Sequence, residues 1–173
     1  MPLSQTARDF AIRVHGEQRY GDHPYVWHLD AVAAIVEPYG ETAQVIAYLH
    51  DIVEDTSATL NDVHDSFGAL VAGCVELLTD EPGETRKIRK AKTYAKLATV
   101  GHDFELALIV KTADRLANVR ACVEDGKDSL RNMYASEQPQ FKASAYRAGL
   151  CDPLWDELDR LLGDGDAIKP RRA

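Results

Sequence analysis

Apolar residues along this chain recur at helical spacing almost from end to end, and no stretch shows convincing alternation of period two. The run Thr6-Ala7-Arg8-Asp9-Phe10-Ala11-Ile12-Arg13-Val14 predicts a helix over about 5–15, capped by Ser4 and stopped at Gly16. Residues 16–27 carry Gly, Pro and several aromatic or histidine side chains and read as a structured loop. Helices follow over about 28–38, ended by Pro38-Tyr39-Gly40, and over about 41–54. A short helix starts at Thr59-Leu60-Asn61-Asp62 and ends at Phe67-Gly68, and an apolar one spans 69–79. After the turn Asp80-Glu81-Pro82-Gly83-Glu84, a basic helix covers 85–98 and the longest helix, capped by Asp103, covers about 104–124. Asp152-Pro153 opens an amphipathic helix stopped by Gly163-Asp164-Gly165, with Asp152 at the cap and proline in the first turn. The expected class is all-α, a compact multi-helix bundle over 1–163 followed by a flexible tail over 164–173.

Composition narrows the partners. A chain of 173 residues suits one domain with a sizeable core. Its 20 basic and 28 acidic residues give a net charge of −8, which argues against a nucleic-acid or membrane-surface binder. No apolar run is long enough to span a bilayer, and the N-terminus shows no basic region leading into an apolar stretch. Cys74, Cys122 and Cys151 are odd in number and far apart, so they read as reduced thiols of a cytoplasmic protein. One region departs from the acidic average: Arg86, Lys87, Arg89, Lys90, Lys92 and Lys96 lie together with no acid among them. That stretch is either a solvated helix face or a place for a multiply charged anion.

The densest chemistry is Leu49-His50-Asp51-Ile52-Val53-Glu54-Asp55, directly after the apolar run Val45-Ile46-Ala47-Tyr48. On one continuous helix, His50 and Glu54, and Asp51 and Asp55, are neighbours one turn apart. Carboxylates beside apolar sequence need compensation, and imidazole with carboxylate suits a first-row divalent ion. The plainer alternative is a helix that ends in solvated acids. A metal that keeps open positions still wants about three or four protein ligands. Two residues elsewhere can complete the set: His28, after Pro24-Tyr25-Val26-Trp27, and Asp114, deep in the longest apolar helix. Locally, His28 could instead be a hydrogen-bonded residue near a helix start, and Asp114 could pair with Lys111 or Arg115. His15, His23, His64 and His102 lack partner spacing of this kind and read as surface or locally hydrogen-bonded residues.

The order His28, His50-Asp51, Asp114 resembles the signature of HD-domain metal phosphohydrolases. Four segments carry the likeness further: Arg19…Gly21…Pro24-Tyr25…His28, His50-Asp51-Ile52-Val53-Glu54-Asp55-Thr56, Phe67-Gly68, and Lys111-Thr112-Ala113-Asp114-Arg115-Leu116-Ala117-Asn118. Together they are similar to the hydrolase domain of RelA/SpoT proteins over about residues 5–162, in the stand-alone form of small alarmone hydrolases such as the metazoan SpoT homologue. The resemblance implies hydrolysis of the 3′-diphosphate of (p)ppGpp, releasing pyrophosphate. It implies one Mn²⁺ held by His28, His50, Asp51 and Asp114, with Glu54 and Asp55 handling protons beside the attacking water. On the substrate side it implies Arg19 against the guanine, Asn118 on the nucleotide, Arg89 and Lys90 near the phosphates, and Tyr134 facing the substrate.

This chain also departs from the family. Arg19-Tyr20 stands where Arg-Lys is common, and His28-Leu29 where His-Pro is common. The basic stretch after Asp80 is longer and richer. Tyr20 removes a phosphate contact that Arg86 or Lys87 could replace. It also keeps open an HD phosphohydrolase acting on another nucleotide, such as the 2′-phosphate of NADPH. A non-catalytic nucleotide-sensing module is the remaining alternative, and the intact Glu54 and Asp55 argue against it. The expected partner is a small nucleotide, and the number of chains that assemble stays open, a homodimer included.

Overall fold

The computed structural model describes residues 1–163, and the expected tail over 164–173 lies outside them. The described chain is all-α apart from one two-residue ladder. Helix α1 (Leu3–His15) leads into a hairpin of β1 (Arg19–Tyr20) and β2 (His23–Pro24), in which Arg19 pairs with Pro24 and Tyr20 with His23. Then come α2 (Val26–Val36), α3 (Glu41–Leu49), α4 (Ile52–Asp55), α5 (Leu60–Phe67), α6 (Ala69–Leu78) and α7 (Arg86–Ala98). The chain finishes with α8 (Glu105–Glu124), α9 (Asp128–Ala145) and α10 (Asp152–Gly163).

Helix α8 is the axis of the bundle. It packs against α2, α3, α6, α9 and α10, and most of its length is buried. Leu108, Leu116, Ile46, Leu49 and Ile52 form the centre of the core, and Tyr94, Phe141 and Trp155 fill it between α7, α9 and α10. Helix α1 is fastened to α2 by a two-bond pairing of Arg8 with Asp30, both contacts at 2.7 Å. Thr59 and Asp62 start α5 with reciprocal side chain–backbone bonds, satisfying two donors that a helix start otherwise leaves open. Gly73 on α6 is a packing glycine: a Cβ there would sit 2.5 Å from the Phe104 ring.

The structure corrects several expectations. The helix expected over 41–54 is broken at His50-Asp51, where Asp51 leaves helical geometry (φ −103°, ψ 1°) before α4 resumes. The first helix starts at Leu3 without a side-chain cap, and Ser4 instead donates from its backbone and hydroxyl to Glu41. Helix α2 begins at Val26, so His28 lies inside its first turn. Asp103 caps nothing, because His102–Phe104 forms a 3-10 turn before α8. Asp152 is itself the first residue of α10, and its carboxylate accepts from the Gly149 N–H. Helix α9 is not marked by the sequence pattern. It contains Pro139, and its buried side is Gln138, Phe141, Ser144 and Ala145, a stripe half polar and confined to its C-terminal half.

Candidate metal centre

Three elements bring the ligand candidates together. The first turn of α2 supplies His28, the break between α3 and α4 supplies His50 and Asp51, and the middle of α8 supplies Asp114. His28, His50 and Asp51 offer ligand atoms within 4.8 Å of one another. Asp114 joins them: its Oδ1 lies 3.2 Å from His28 Nε2 and 3.6 Å from His50 Nε2, while Asp51 Oδ2 lies 2.9 Å from His50 Nε2. The break at His50-Asp51 matters here, because it lets consecutive residues aim at one point.

The donor set fits a divalent cation. His50 Nδ1 donates to the Ala47 carbonyl at 2.7 Å, which leaves Nε2 as the lone-pair nitrogen, the usual arrangement of a ligating histidine. That Nε2 is fully buried and has no hydrogen-bond partner. It faces carboxylate oxygens, so acceptor opposes acceptor, and a cation resolves the conflict. Charge balance agrees. Burial works against ionising Asp114, yet His28, His50 and the charge of Lys111 hold its carboxyl well below the usual range. Burial opposes a charged His50, but Asp51 and Asp114 outweigh it and raise its pKa, so a proton and a metal ion compete for the same Nε2. Tyr25 donates to Asp51 Oδ2 at 2.5 Å and fixes that carboxylate from behind.

Beside this cluster lies a cavity of about 130 Å³ lined by both acidic and basic groups. Asp51, Glu54 and Asp114 form the acidic side, and Arg86, Lys90, Lys111 and Arg115 the basic side. Each cation is held in place. Lys90 pairs with Asp80 at 2.7 Å, and buried Lys111 donates to the Leu78 carbonyl at 3.1 Å. Burial tends to discharge Lys111, but Asp114, Asp80, Asp51 and Glu54 more than offset it. Glu137 on α9 receives both Arg86 (2.8 Å) and Arg115 (3.2 Å), and Arg115 lies over the rings of Phe141 and Tyr134. Arg115 Nη1 is buried without a partner.

Of the residues singled out from the sequence, His28, Asp51, Glu54, Lys90, Asp114, Asn118 and Tyr134 line the cavity, and His50 lies directly behind it. Glu54 accepts from the Asp80 N–H at 3.0 Å, and partial burial raises its pKa. Asp55 does not line the cavity: it is exposed and accepts from Gln18 at 2.9 Å. Arg19 is also exposed and bonds the Asp22 carbonyl, and Arg89 donates to the Gly83 carbonyl at 3.3 Å. His23, His64 and His102 are exposed, but His15 is buried and stacks on Tyr25 with ring centroids 4.5 Å apart. Sequence spacing gave no reason to place Glu137 beside Arg86 and Arg115. The acid-free stretch 86–96 pointed to six cations, of which Arg86 and Lys90 line the cavity, and Lys111 and Arg115 were marked only as local partners for Asp114.

A family profile described as "HD domain" matches residues 7–149. The chain belongs to the HD domain family. This HD domain is 36% identical over 130 residues to the human guanosine-3′,5′-bis(diphosphate) 3′-pyrophosphohydrolase MESH1, covering 69% of this chain and 71% of that protein. To the Danio rerio protein of the same name it is 34% identical, covering 71% and 72%. An Aquifex aeolicus guanosine-3′,5′-bis(diphosphate) 3′-pyrophosphohydrolase is 30% identical over 149 residues, but the match spans only 21% of that longer protein. Among solved structures, a metazoan orthologue of SpoT described as hydrolysing ppGpp superposes with a TM-score of 0.73 at 26% identity, covering 94% of this chain and 97% of the other. Among the described residues no helix is long and apolar enough to cross a membrane.

Proposed function

We propose that the protein is a (p)ppGpp 3′-pyrophosphohydrolase that uses Mn²⁺. The observation that carries this reading is the cavity itself: a His/His/Asp/Asp cluster adjoins one small space that four cations also line. A hydrolase acting on a diphosphate ester needs both halves, because phosphoryl transfer depends on positioning and charge neutralisation more than on covalent chemistry. The relatives named for this activity support it, as does the likeness to the SpoT orthologue over nearly the whole of both chains.

His28, His50, Asp51 and Asp114 would hold the ion, which supplies Lewis-acid neutralisation of the phosphoryl group and acidifies water. Lys90, Lys111, Arg86 and Arg115 bind the diphosphate oxygens from the other side. Glu54 takes the proton of the attacking water. It is given this role ahead of Asp55 because it lines the cavity and desolvation there raises its pKa. Water oxygen bonds to the phosphorus next to the ribose, the bond to O3′ breaks, and O3′ leaves as the hydroxyl of GDP or GTP, the proton taken by Glu54 being returned to it, while pyrophosphate departs. A cavity of about 130 Å³ is smaller than pockets that enclose whole drug-sized ligands, which suits the diphosphate end of the substrate.

The three cysteines are unpaired, which suits the cytoplasm as the proposed compartment. One observation favours a second reading: Tyr20 puts a neutral ring at the cavity, which suits an HD phosphatase acting on a nucleotide phosphomonoester. Purified protein with Mn²⁺ and ppGpp decides between them. Equal amounts of GDP and pyrophosphate support the pyrophosphohydrolase, and no product from ppGpp with orthophosphate from NADPH supports the alternative.

A further inference from the structure

Tyr20 does more than line the cavity. Its ring lies flat on the His28 imidazole, with centroids 4.7 Å apart and planes 7° from parallel, and it also stacks against Trp27 at 5.8 Å. Its hydroxyl donates to Asn118 Oδ1 at 2.7 Å, across 98 residues of sequence. Asn118 in turn donates from Nδ2 to Asp114, at 2.7 Å to Oδ1 and 3.0 Å to the backbone carbonyl.

The direction of this chain is dictated by chemistry. An ionised carboxylate only accepts, so the Asn118 amide must turn its NH₂ toward Asp114. Its carbonyl oxygen then faces Tyr20, which must donate. Turning the amide over would set oxygen against oxygen at Asp114. Both amide protons of Asn118 are therefore spent on Asp114, and none is left for a nucleotide. The same Asp114 Oδ1 that receives Asn118 faces His28 and His50.

We propose that Tyr20 is a positioning residue of the metal centre, acting through Asn118 to hold the Asp114 carboxylate toward His28 and His50. Asn118 is the middle of this relay, and toward a nucleotide it can only accept, through the second lone pair of its amide oxygen. The hairpin β1–β2 is thereby coupled to the metal ligands, since Tyr20 is a residue of its ladder. The inference rests on the cluster binding a divalent ion. It does not depend on which phosphate ester is hydrolysed.

The test measures Mn²⁺ binding directly, by titration calorimetry on chelator-stripped full-length protein. The variants are Tyr20→Phe, Asn118→Ala and the pair together. Tyr20→Phe keeps the ring and its stacking and removes only the relay's first donor. Partners behind a ligand are commonly worth tenfold or more in metal affinity, so Tyr20→Phe should weaken Mn²⁺ binding by about tenfold. Asn118→Ala should weaken it further, and the double variant should be no weaker than Asn118→Ala alone, because the hydroxyl acts only through the amide. Unchanged Mn²⁺ affinity in Tyr20→Phe overturns the proposal, as do losses that simply add in the double variant. A lowered metal-free melting temperature with unchanged affinity also overturns it, by assigning the hydroxyl to packing. Wild-type protein that binds no Mn²⁺ removes the relay and the metal site together. Wild-type protein that binds Mn²⁺ but leaves ppGpp intact removes only the substrate reading, and the relay stands.

Discussion

Replacing Glu137 with alanine tests how the basic side of the cavity is built. Glu137 accepts Arg86 Nε at 2.8 Å on one oxygen, and Arg86 Nη2 and Arg115 Nη2, both at 3.2 Å, on the other. The two arginines are not equivalent. The Arg86 side chain is 40% exposed, so water takes over much of its solvation and its share is at most about 1 kcal/mol. The Arg115 side chain is 6% exposed, and Glu137→Ala leaves its charge buried without a counter-ion. Breaking a buried pair in this way costs about 3–5 kcal/mol. Arg115 keeps the Tyr94 hydroxyl and its stacking on Phe141, which places the loss at the low end, about 3 kcal/mol. For a chain of this size that corresponds to a fall in Tm of about 6–12 °C. Thermal unfolding followed by circular dichroism reads it. The double variant Glu137→Ala with Arg115→Met should recover much of the loss, because it removes the stranded charge as well as its partner. A Tm within about 2 °C of wild type for Glu137→Ala, or a double variant less stable than Glu137→Ala, would refute the assignment of Glu137 as the counter-ion of Arg115.

Glu137 also predicts a pH dependence. Burial favours its neutral form, but the hydrogen bond from Arg86 and the charges of Arg115 and Arg86 prevail and lower its pKa. A lowered carboxyl contributes stability above its unfolded pKa of about 4.3 and loses it as pH falls through the folded value. Denaturant titrations from pH 6 downward should therefore show a steeper loss below about pH 4.3 in wild type than in Glu137→Gln, and parallel curves would contradict this. Lys90→Ala removes one cavity cation and leaves Asp80, whose side chain is 8% exposed, with one partner fewer. Its KM for ppGpp should rise about tenfold, the worth of one charge-assisted hydrogen bond, and an unchanged KM places Lys90 outside the phosphate site. Gly73→Ala gains helix propensity of about 1 kcal/mol, but its Cβ would meet Phe104 at 2.5 Å, and overpacking costs about 1–3 kcal/mol. A net fall in Tm is expected, and a rise would show that the Phe104 ring yields freely.

Much of the fold was legible because its evidence is local. The 3.6-residue spacing of apolar positions marked the helices α5, α6, α7 and α10 close to their observed limits. Helix α9 escaped because Pro139 reads as a breaker and its buried stripe is short and half polar, so tertiary packing beside α7, α8 and α10 supports it more than its own pattern does. The break between α3 and α4 was hidden for the opposite reason. Nothing in Leu49-His50-Asp51-Ile52 disfavours a continuous helix, and the interruption shows only in backbone angles.

By itself the sequence determined the helical class and the chemical types available for a metal: two histidines, a dense acidic motif and one suspicious aspartate in an apolar helix. Those are properties of residue type and near spacing, which side-chain chemistry and helix periodicity carry without a fold. Only the tertiary structure decided which groups share a cavity. It set Arg86, Lys111 and Arg115 opposite the acids, moved Arg19, Arg89 and Asp55 away from them, and joined Tyr20 to Asp114 through Asn118. The physical reason is that the deciding contacts, such as Tyr20 with Asn118 and Gln18 with Asp55, span tens of residues. They depend on how α2 and α9 dock on α8 and α7 on α9, a matter of packed side-chain volume that no local pattern encodes.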